Sequence, residues 1–376
     1  MAGRYEVGAY YFPNYHVDPR NEAAHGAGWT EWELVRRAHP RFPGHRQPRV
    51  PLWGFEDEAD PAVFARKIDT AADHGIGHFL FDWYHYEDGP FLNRCLDEGY
   101  KGASNRHRLQ YALMWANHTW VDIHPAKYAG EPDVLQRGEV SPAGWGRIMD
   151  RLVADHFAHP GYLRVDGRPY FSIYELATFL RGLGGVEAGR EGLEELRRRC
   201  RAAGQPEPHL NCVLWGHIVL PGEQVIQDPA RVLPALGFDS FTSYVWVHHV
   251  APVGEPTTPY RAMEDGYLAY AERAVSEIPL PYFPNATVGW DPSPRCCQSD
   301  TYRTTGYPWT PVLDGNTPAA FAAALRRVRA HMDRHGIQMM SINAWNEWTE
   351  GSYLEPDTER GMGYLRAIRE VFGDGG

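Results

Sequence analysis

The stretch MMSINAWNEW, residues 339–348, is a continuous apolar run of strand length that ends in aromatic and polar side chains. A strand covered on both faces has this composition, because parallel sheets are buried between layers of helices. Seven other runs in the chain have the same composition. The eight predicted strands are Glu6–Phe12, His78–His85, Leu109–Ala116, Pro169–Glu175, His209–Gly216, Ser240–Trp246, Tyr282–Asp291 and Met339–Trp348.

Helix signals separate these runs. At four places a residue that favours the N-cap position stands directly before a proline, and proline is typical of the first helical position. The N-cap residues predicted in this way are Asp60, Ser141, Asp228 and Thr317, with Asp357 or Thr358 before the last helix.

Buried strands that alternate with helices predict an α/β fold, a (β/α)₈ TIM barrel. The chain contains neither G-x-G-x-x-G after a strand nor G-x-x-x-x-G-K-[ST], which argues against dinucleotide and P-loop nucleotide chemistry. Because no linker of low complexity divides the chain, we expect one domain over residues 1–376. The longest loops, predicted over 13–60, 117–141 and 247–258, follow strands and should lie on the catalytic face of the barrel.

Charge and composition exclude several classes of partner. The chain has 37 Lys and Arg against 48 Asp and Glu, a net charge of −11, so nucleic acid is not an expected partner. Five cysteines do not suggest a disulfide framework, and no apolar run is long enough for a membrane span. The N-terminal stretch MAGRYEVGAYYF enters a strand almost at once, which predicts a cytoplasmic protein without a signal peptide.

The catalytic residues of such barrels come from the carboxyl ends of several strands. Six of these ends carry a Trp, and most also carry an acid, an amide or an imidazole, as expected for a pocket that binds sugar rings. The alternative is that these Trp side chains belong to the core. The candidate substrate-binding residues at the strand ends are Tyr11, His16, Asp82, Tyr84, Trp115, Asn117, His118, Tyr174, Glu175, Trp215, Tyr244, Trp246, Trp290, Asp291, Trp345, Asn346 and Trp348.

The strongest local signal is INAWNEWTEGSYLEPD, residues 342–357, which places Glu347 at the end of the last strand and Glu350 three residues later. Glycosidic cleavage needs two carboxyl groups, one to protonate the leaving oxygen and one to act as base or nucleophile. The two side chains can face the same way only if the chain turns helically between them. The alternative is that Glu350 only caps a loop.

Further candidates lie outside the strand ends. Trp29, Glu31 and Trp32 in the first long loop are predicted to line sugar subsites, although Glu31 could equally be a surface helix residue. Tyr244 is predicted to bond Glu347 or the sugar ring. Arg295 is predicted either to bind an acidic sugar or to pair with Asp291.

Several ordered motifs resemble the WbsX-type family of glycosyltransferases, which is related to family 99 glycoside hydrolases. They are AYYFPNYHVDPRNEAAHGAGWTEWELVRRAHPRFPGHRQPRVPL at 9–52, WANHTW at 115–120, HPGYLRVDGRPYFSIY at 159–174, GWDPSPR at 289–295 and NAWNEWTEGSYLEP at 343–356. Family members commonly read WANE at the third strand, whereas this chain has His118 at the Glu position.

The resemblance implies a barrel that acts on glycans without metal or other cofactor. By carry-over from the similar Asn-Glu-Trp-x-Glu-Gly segment of the endo-mannosidases, Glu350 is the general acid. Glu347 is the base that takes the proton of the sugar's 2-hydroxyl, so that the configuration is retained through a 1,2-anhydro sugar. The expected partner is a carbohydrate substrate in a poly- or oligosaccharide or a glycoconjugate.

Three alternatives to a retaining hydrolase stay open. The family name favours a glycosyltransferase of polysaccharide biosynthesis, although the chain has no Asp-x-Asp for a metal-bound diphosphate. A non-catalytic carbohydrate-binding barrel would use the same aromatic residues. A metal-dependent hydrolase would draw its ligands from His16, His85, His118, His217 and His248.

Overall fold

The computed structural model describes residues 5–373, which contain the predicted (β/α)₈ barrel. Its strands are β1 (Glu6–Tyr11), β2 (His78–Tyr86), β3 (Gln110–Trp115), β4 (Arg168–Ile173), β5 (His209–Val213), β6 (Ser240–Thr242), β7 (Tyr282–Phe283 and Asn285–Thr287) and β8 (Met339–Asn343). They pair in parallel and in chain order, and the ring closes because the first segment of β7 pairs with β6 and the second with β8. The eight predicted strands are confirmed. The part of the N-terminal prediction that concerns residues 1–4 falls outside the described residues.

Ten α-helices lie in the described part of the chain. They are α1 (Pro19–His25), α2 (Trp32–Arg37), α3 (Pro61–Asp73), α4 (Pro142–Arg151), α5 (Leu176–Leu183), α6 (Val186–Ala202), α7 (Pro229–Leu236), α8 (Tyr260–Glu277), α9 (Pro318–His335) and α10 (Gly363–Phe372). Short strands outside the barrel are Gly89–Phe91, Trp120–Val121, Val134–Gln136, Arg164–Val165, Thr257–Pro259, Val312–Asp314, Asn346–Glu347 and Ser352–Tyr353.

Three of the predicted helix caps are confirmed, because the side chains of Asp60, Ser141 and Thr317 each accept a backbone N–H from the first turn of a helix. Asp228 precedes α7 but lies in the left-handed region with φ 52° and makes no such bond. Asp357 does not cap α10 either, since its carboxylate accepts from backbone N–H groups of the preceding turn instead.

The long loops lie where the strand order predicts them, at the carboxyl ends of the strands. One of the longest loops, residues 288–317 after β7, is not marked in the sequence, because its Pro and Gly residues give no regular pattern. A second apolar cluster under the loops contains Tyr15, Trp32 and Trp348 and joins the first loop to the segment after β8. No helix within residues 5–373 combines the length and the apolar character that crossing a bilayer requires.

Candidate functional site

The carboxyl ends of the barrel strands surround a cavity of about 720 Å³ that opens to solvent. Each of the eight strands, or the loop after it, contributes to its wall. The predicted site residues that line it are Asp82, Tyr84, His118, Tyr174, Tyr244, Trp290, Arg295, Glu347 and Glu350.

Glu347 directly precedes, and Glu350 ends, a short turn of 3₁₀-helix over Trp348–Glu350, so the helical turn that their spacing requires is present. Both carboxyl groups face the guanidinium of Arg295. Its Nη1 donates to Glu350 Oε1 at 2.5 Å, and its Nη2 lies 3.5 Å from Glu347 Oε2. The two acids therefore meet at a single cation inside the cavity.

Burial and mutual repulsion raise the proton affinity of this pair. Burial first, and the charge of Glu350 second, hold the pKa of Glu347 well above its ordinary value. Burial also raises the pKa of Glu350, although Arg295 and a hydrogen bond of 2.9 Å from the Tyr307 hydroxyl oppose that rise. Such a pair keeps a proton at a pH where isolated carboxyl groups have lost theirs.

Glu31 lies behind Arg295 rather than on the surface of the cavity. Its Oε1 accepts from Arg295 Nε at 3.0 Å and from Thr349 Oγ1 at 2.6 Å, and its Oε2 accepts from Asn14 Nδ2 at 2.6 Å. Burial raises the pKa of Glu31, but Arg295 and His124 outweigh burial and lower it. Glu31 is thus a buried carboxylate that orients the guanidinium, and the surface alternative is wrong.

The hydroxyl of Tyr244 contacts two acidic side chains of the cavity, Asp82 and Glu347. It lies 3.0 Å from Asp82 Oδ2 and 3.3 Å from Glu347 Oε1, which confirms the predicted contact between Tyr244 and Glu347. Burial holds the pKa of Asp82 well above its ordinary value, since no cation faces it directly among the described residues.

Asp291 does not pair with Arg295, so that prediction is wrong. Its carboxylate instead accepts from His45 Nε2 at 2.9 Å and Gln47 Nε2 at 2.8 Å, two residues of the first loop. Burial raises the pKa of Asp291, but His45 more than offsets this and lowers the value to about 2. Gly351 follows Glu350 in the left-handed region with φ 64°, and a Cβ there would approach Asp291 to 2.6 Å.

Most of the tryptophans do not form the cavity wall. Trp115 stacks on Trp145 of α4 at 5.4 Å, and Trp246 packs on tyrosines of α8. Trp345 and Trp348 both donate their indole N–H to Glu355 beneath the last strand. These four Trp side chains therefore belong to the core, as the alternative interpretation had it, because side chains alternate between the two faces of a strand.

Other predicted residues connect neighbouring strand ends through hydrogen bonds. Asn117 exchanges two hydrogen bonds of 2.8 Å with the backbone of Glu175, and Asn346 bonds both backbone groups of Phe12 at 2.7 and 2.8 Å. Burial raises the pKa of Glu175 to about 7. Tyr11 points outward and donates to Glu58 at 2.9 Å. These groups hold the backbone in place and do not line the cavity.

Four predicted residues lie around rather than in the cavity. His16 is fully buried, and burial lowers its pKa to about 3. Trp32 stacks on Tyr15 at 4.0 Å, and Trp29 stacks on His25 at 4.4 Å. Trp215 packs against Tyr174, with ring centroids 4.9 Å apart.

Sequence reasoning missed two residues of the wall and two others that hydrogen-bond to wall residues. Trp120 and His124 belong to the irregular loop after β3, and Tyr307, which bonds Glu350, belongs to the overlooked loop after β7. Glu223 binds the hydroxyl of Tyr174 at 2.7 Å and two backbone N–H groups of the loop after β5. One Trp and two His within residues 117–124 were a usable signal for the first two, whereas nothing local marked the others.

The five histidines proposed as metal ligands do not assemble. Within residues 5–373, three clusters of His, Cys, Asp or Glu have ligand spacing, and only one of them contains a member of that set, His16. The metal-dependent arrangement predicted at the strand ends is therefore not present in the described chain.

Comparisons with known proteins agree with this picture. A family model described as "Glycosyltransferase WbsX" matches residues 7–368. An uncharacterized protein WxcX from Xanthomonas campestris pv. campestris is 28% identical over 377 residues, with 96% of this chain and 49% of the relative covered. The chain thus spans about half the length of this relative.

Two solved structures share the fold. A glycoside hydrolase-like protein superposes with a TM-score of 0.63 at 16% identity, covering 98% of this chain and 94% of the other. The GH99 endo-alpha-mannosidase from Bacteroides thetaiotaomicron superposes with a TM-score of 0.55 at 14% identity, covering 98% and 96%. At these identities the likeness concerns the barrel, which confirms the predicted relationship between the WbsX and GH99 folds.

Proposed function

Since the chain belongs to the WbsX glycosyltransferase family, we propose that it is a glycan-active enzyme whose catalytic pair is Glu347 and Glu350. The observation that carries this proposal is the contact of both buried carboxyl groups with Arg295 inside one aromatic cavity. Burial raises the pKa of both groups, which favours retention of a proton, and a pair that shares one proton can supply an acid and a base together.

The reaction we propose is retaining, metal-independent hydrolysis of a glycosidic bond. Glu350 protonates the leaving oxygen while Glu347 takes the proton of the sugar's 2-hydroxyl, whose oxygen attacks the anomeric carbon. Glu350, now a carboxylate, takes a proton from the water that opens the 1,2-anhydro sugar at the anomeric carbon, and Glu347 returns its proton to the 2-oxygen. The position of both acids on one turn supports this, because both must reach the same sugar ring.

The charges around the cavity support a neutral sugar as the substrate. Arg295 already contacts Glu31, Glu347 and Glu350, so its donors are occupied by the protein's own carboxyl groups. A uronic acid would add a further negative charge to a cavity that already contains the acid pair. We therefore do not propose that Arg295 binds an acidic sugar.

The test is a screen of defined oligosaccharides with proton NMR of the first anomer released. We expect turnover with retention in the wild type, and loss of at least about 100-fold in kcat for Glu350→Gln and Glu347→Gln, as general acid–base groups contribute roughly 10²–10⁴-fold. Glu359→Gln is the matched control, since Glu359 is half-exposed and pairs with Arg46, Arg49 and Arg360, none of which lines the cavity. If the wild type and both variants bind a glycan equally and none of them cleaves it, the protein is a carbohydrate-binding barrel and not a hydrolase.

An aryl glycoside with an acidic phenol as leaving group separates the two roles. Such a leaving group needs no protonation, so Glu350→Gln should regain most of its activity and Glu347→Gln should not. The opposite result would exchange the roles of the two residues.

A second candidate function is transfer of a sugar from a nucleotide sugar, which the description of the matching family favours. The same acid pair could deprotonate an acceptor hydroxyl. Release of nucleoside diphosphate that depends on Glu347 and Glu350 would establish the transferase in place of the hydrolase.

A further inference from the structure

Two of the long loops meet beside the cavity at a cluster of three polar side chains. His25 ends α1 in the loop after β1, whereas Asp122 and His124 belong to the loop after β3. One ligand atom of each lies within 4.8 Å of the other two. His124 also lines the cavity.

The two imidazoles each have a nitrogen that lacks a partner. His25 Nε2 and His124 Nδ1 are both shielded from solvent and make no hydrogen bond. The whole His124 residue is only 7% exposed. Buried polar atoms in folded proteins are nearly always satisfied, so each exception needs an explanation. A bound cation would explain both nitrogens at once.

Neighbouring side chains orient the two rings. Trp29 stacks on His25 at 4.4 Å and meets His124 edge-on at 5.7 Å. The other nitrogen of His124, Nε2, lies 3.9 Å from Glu31 Oε2. This distance is too long for a hydrogen bond, but it places the carboxylate on the Nε2 side of the ring, so Nδ1 is the nitrogen left to bind a metal.

We propose that His25, Asp122 and His124 bind a divalent transition-metal cation of the zinc type. Imidazole nitrogen and carboxylate oxygen are the ligands that zinc takes in proteins, and three of them leave a fourth position for water. The cation ties the loop after β1 to the loop after β3. It lies beside the acid pair and takes no part in the proposed proton transfers.

The other two clusters with ligand spacing do not fit a cation. In the first, His16, Glu58 and Cys95, the ammonium of Lys67 lies 3.1 Å from Glu58 Oε1 and would repel a metal. In the second, on α8 and α9, the carboxylate of Glu272 is already occupied by two imidazoles and an arginine. This second cluster serves as the control.

The experiment is a zinc titration, followed by calorimetry, of the tag-free chain of residues 1–376 after treatment with a chelator. We expect one equivalent of Zn²⁺ to bind to the wild type. His25→Ala and Asp122→Asn should weaken binding by at least about 100-fold, since even loss of an outer partner costs roughly 10–100-fold. His335→Ala, in the control cluster on α9, should bind as the wild type does. Circular dichroism without zinc should show the same fold in all four proteins.

Cobalt provides a second readout, because the visible absorption of bound Co²⁺ reports its nitrogen and oxygen ligands. The wild type and His335→Ala should give the same spectrum, and His25→Ala should lose it. No zinc binding in the wild type, binding that survives both His25→Ala and Asp122→Asn, or binding lost in His335→Ala would each overturn the proposal.

Discussion

Replacing Arg295 by Met tests whether the cation holds the candidate site together. The Arg295 side chain is 6% exposed, and it faces carboxyl groups of Glu31, Glu347 and Glu350 that are 0%, 4% and 7% exposed. Removing one partner of a buried ion pair costs about 3–5 kcal/mol, because the other charge is left without compensation. Glu31 should account for most of this penalty, since its pKa is lowered against burial mainly by Arg295.

The penalty should depend on pH with a definite sign. A carboxyl group with a lowered pKa stabilises the fold above its unfolded pKa, and Glu31 loses that contribution in the variant. The pKa values of Glu347 and Glu350 are already raised and should rise further, so the folded variant binds more protons than the folded wild type. For each extra proton, the difference in stability should shrink by about 1.4 kcal/mol per pH unit as the pH falls from 7 towards 4.5.

The assay is urea unfolding of wild type and Arg295→Met at several pH values between 7 and 4.5. Arg46→Met is the control, because Arg46 forms a partly exposed pair with Glu359 at 2.7 Å. Such a pair contributes about 0–1 kcal/mol. A loss below about 1 kcal/mol for Arg295→Met, or a loss that does not change with pH, would refute this account of the site.

Three other predictions follow from the same geometry. Trp115→Ala should cost about 3–5 kcal/mol of unfolding free energy yet leave KM unchanged, whereas Trp290→Ala should raise KM with a smaller loss of stability. Denaturation and steady-state kinetics measure the two effects, and equal effects on KM would contradict the placement of the two rings. Asp82→Asn should keep kcat within about threefold, because the raised pKa indicates a neutral acid that an amide can replace; a loss above about 100-fold would show that the carboxylate is needed. His45→Ala should remove about 2 kcal/mol of stability, because the pKa of Asp291 is about 2 in the fold and 3.8 ordinarily. This stabilisation is present above pH 4 and is lost as the pH falls towards 2, so unchanged acid unfolding between pH 4 and 2 would rule the prediction out.

The barrel was predictable because the information for it is local. Runs of apolar residues mark the strands, and the pairs Asp60-Pro61 and Ser141-Pro142 mark the helix starts, so each element is specified within a few residues. The end of β8 was readable for the same reason, since the spacing of Glu347 and Glu350 itself requires a helical turn.

The inward and outward sides of the strands were also predictable, but only with the alternation of side chains taken into account. Asp82 and Tyr84 line the cavity while Trp83 between them faces the helices. Along β3 and the residues after it, Met114 and Ala116 line the cavity and Trp115 does not. Composition at a strand end therefore overcounts site residues, because one residue in two points away.

Apart from Tyr244, the partners of the acid pair could not be predicted, because they come from loops far apart in the chain. Glu31 reaches Arg295 over 264 positions of sequence, and Tyr307 belongs to a loop without regular periodicity. No local pattern specifies such a contact; it exists because the barrel brings the ends of β1, β7 and β8 to the same face. The proposed chemistry depends on it, because without Arg295 the pKa values of both buried glutamates would rise further and ionisation of the base would be disfavoured. The motif thus supplies the acids, and the fold supplies the cation that lets one of them ionise.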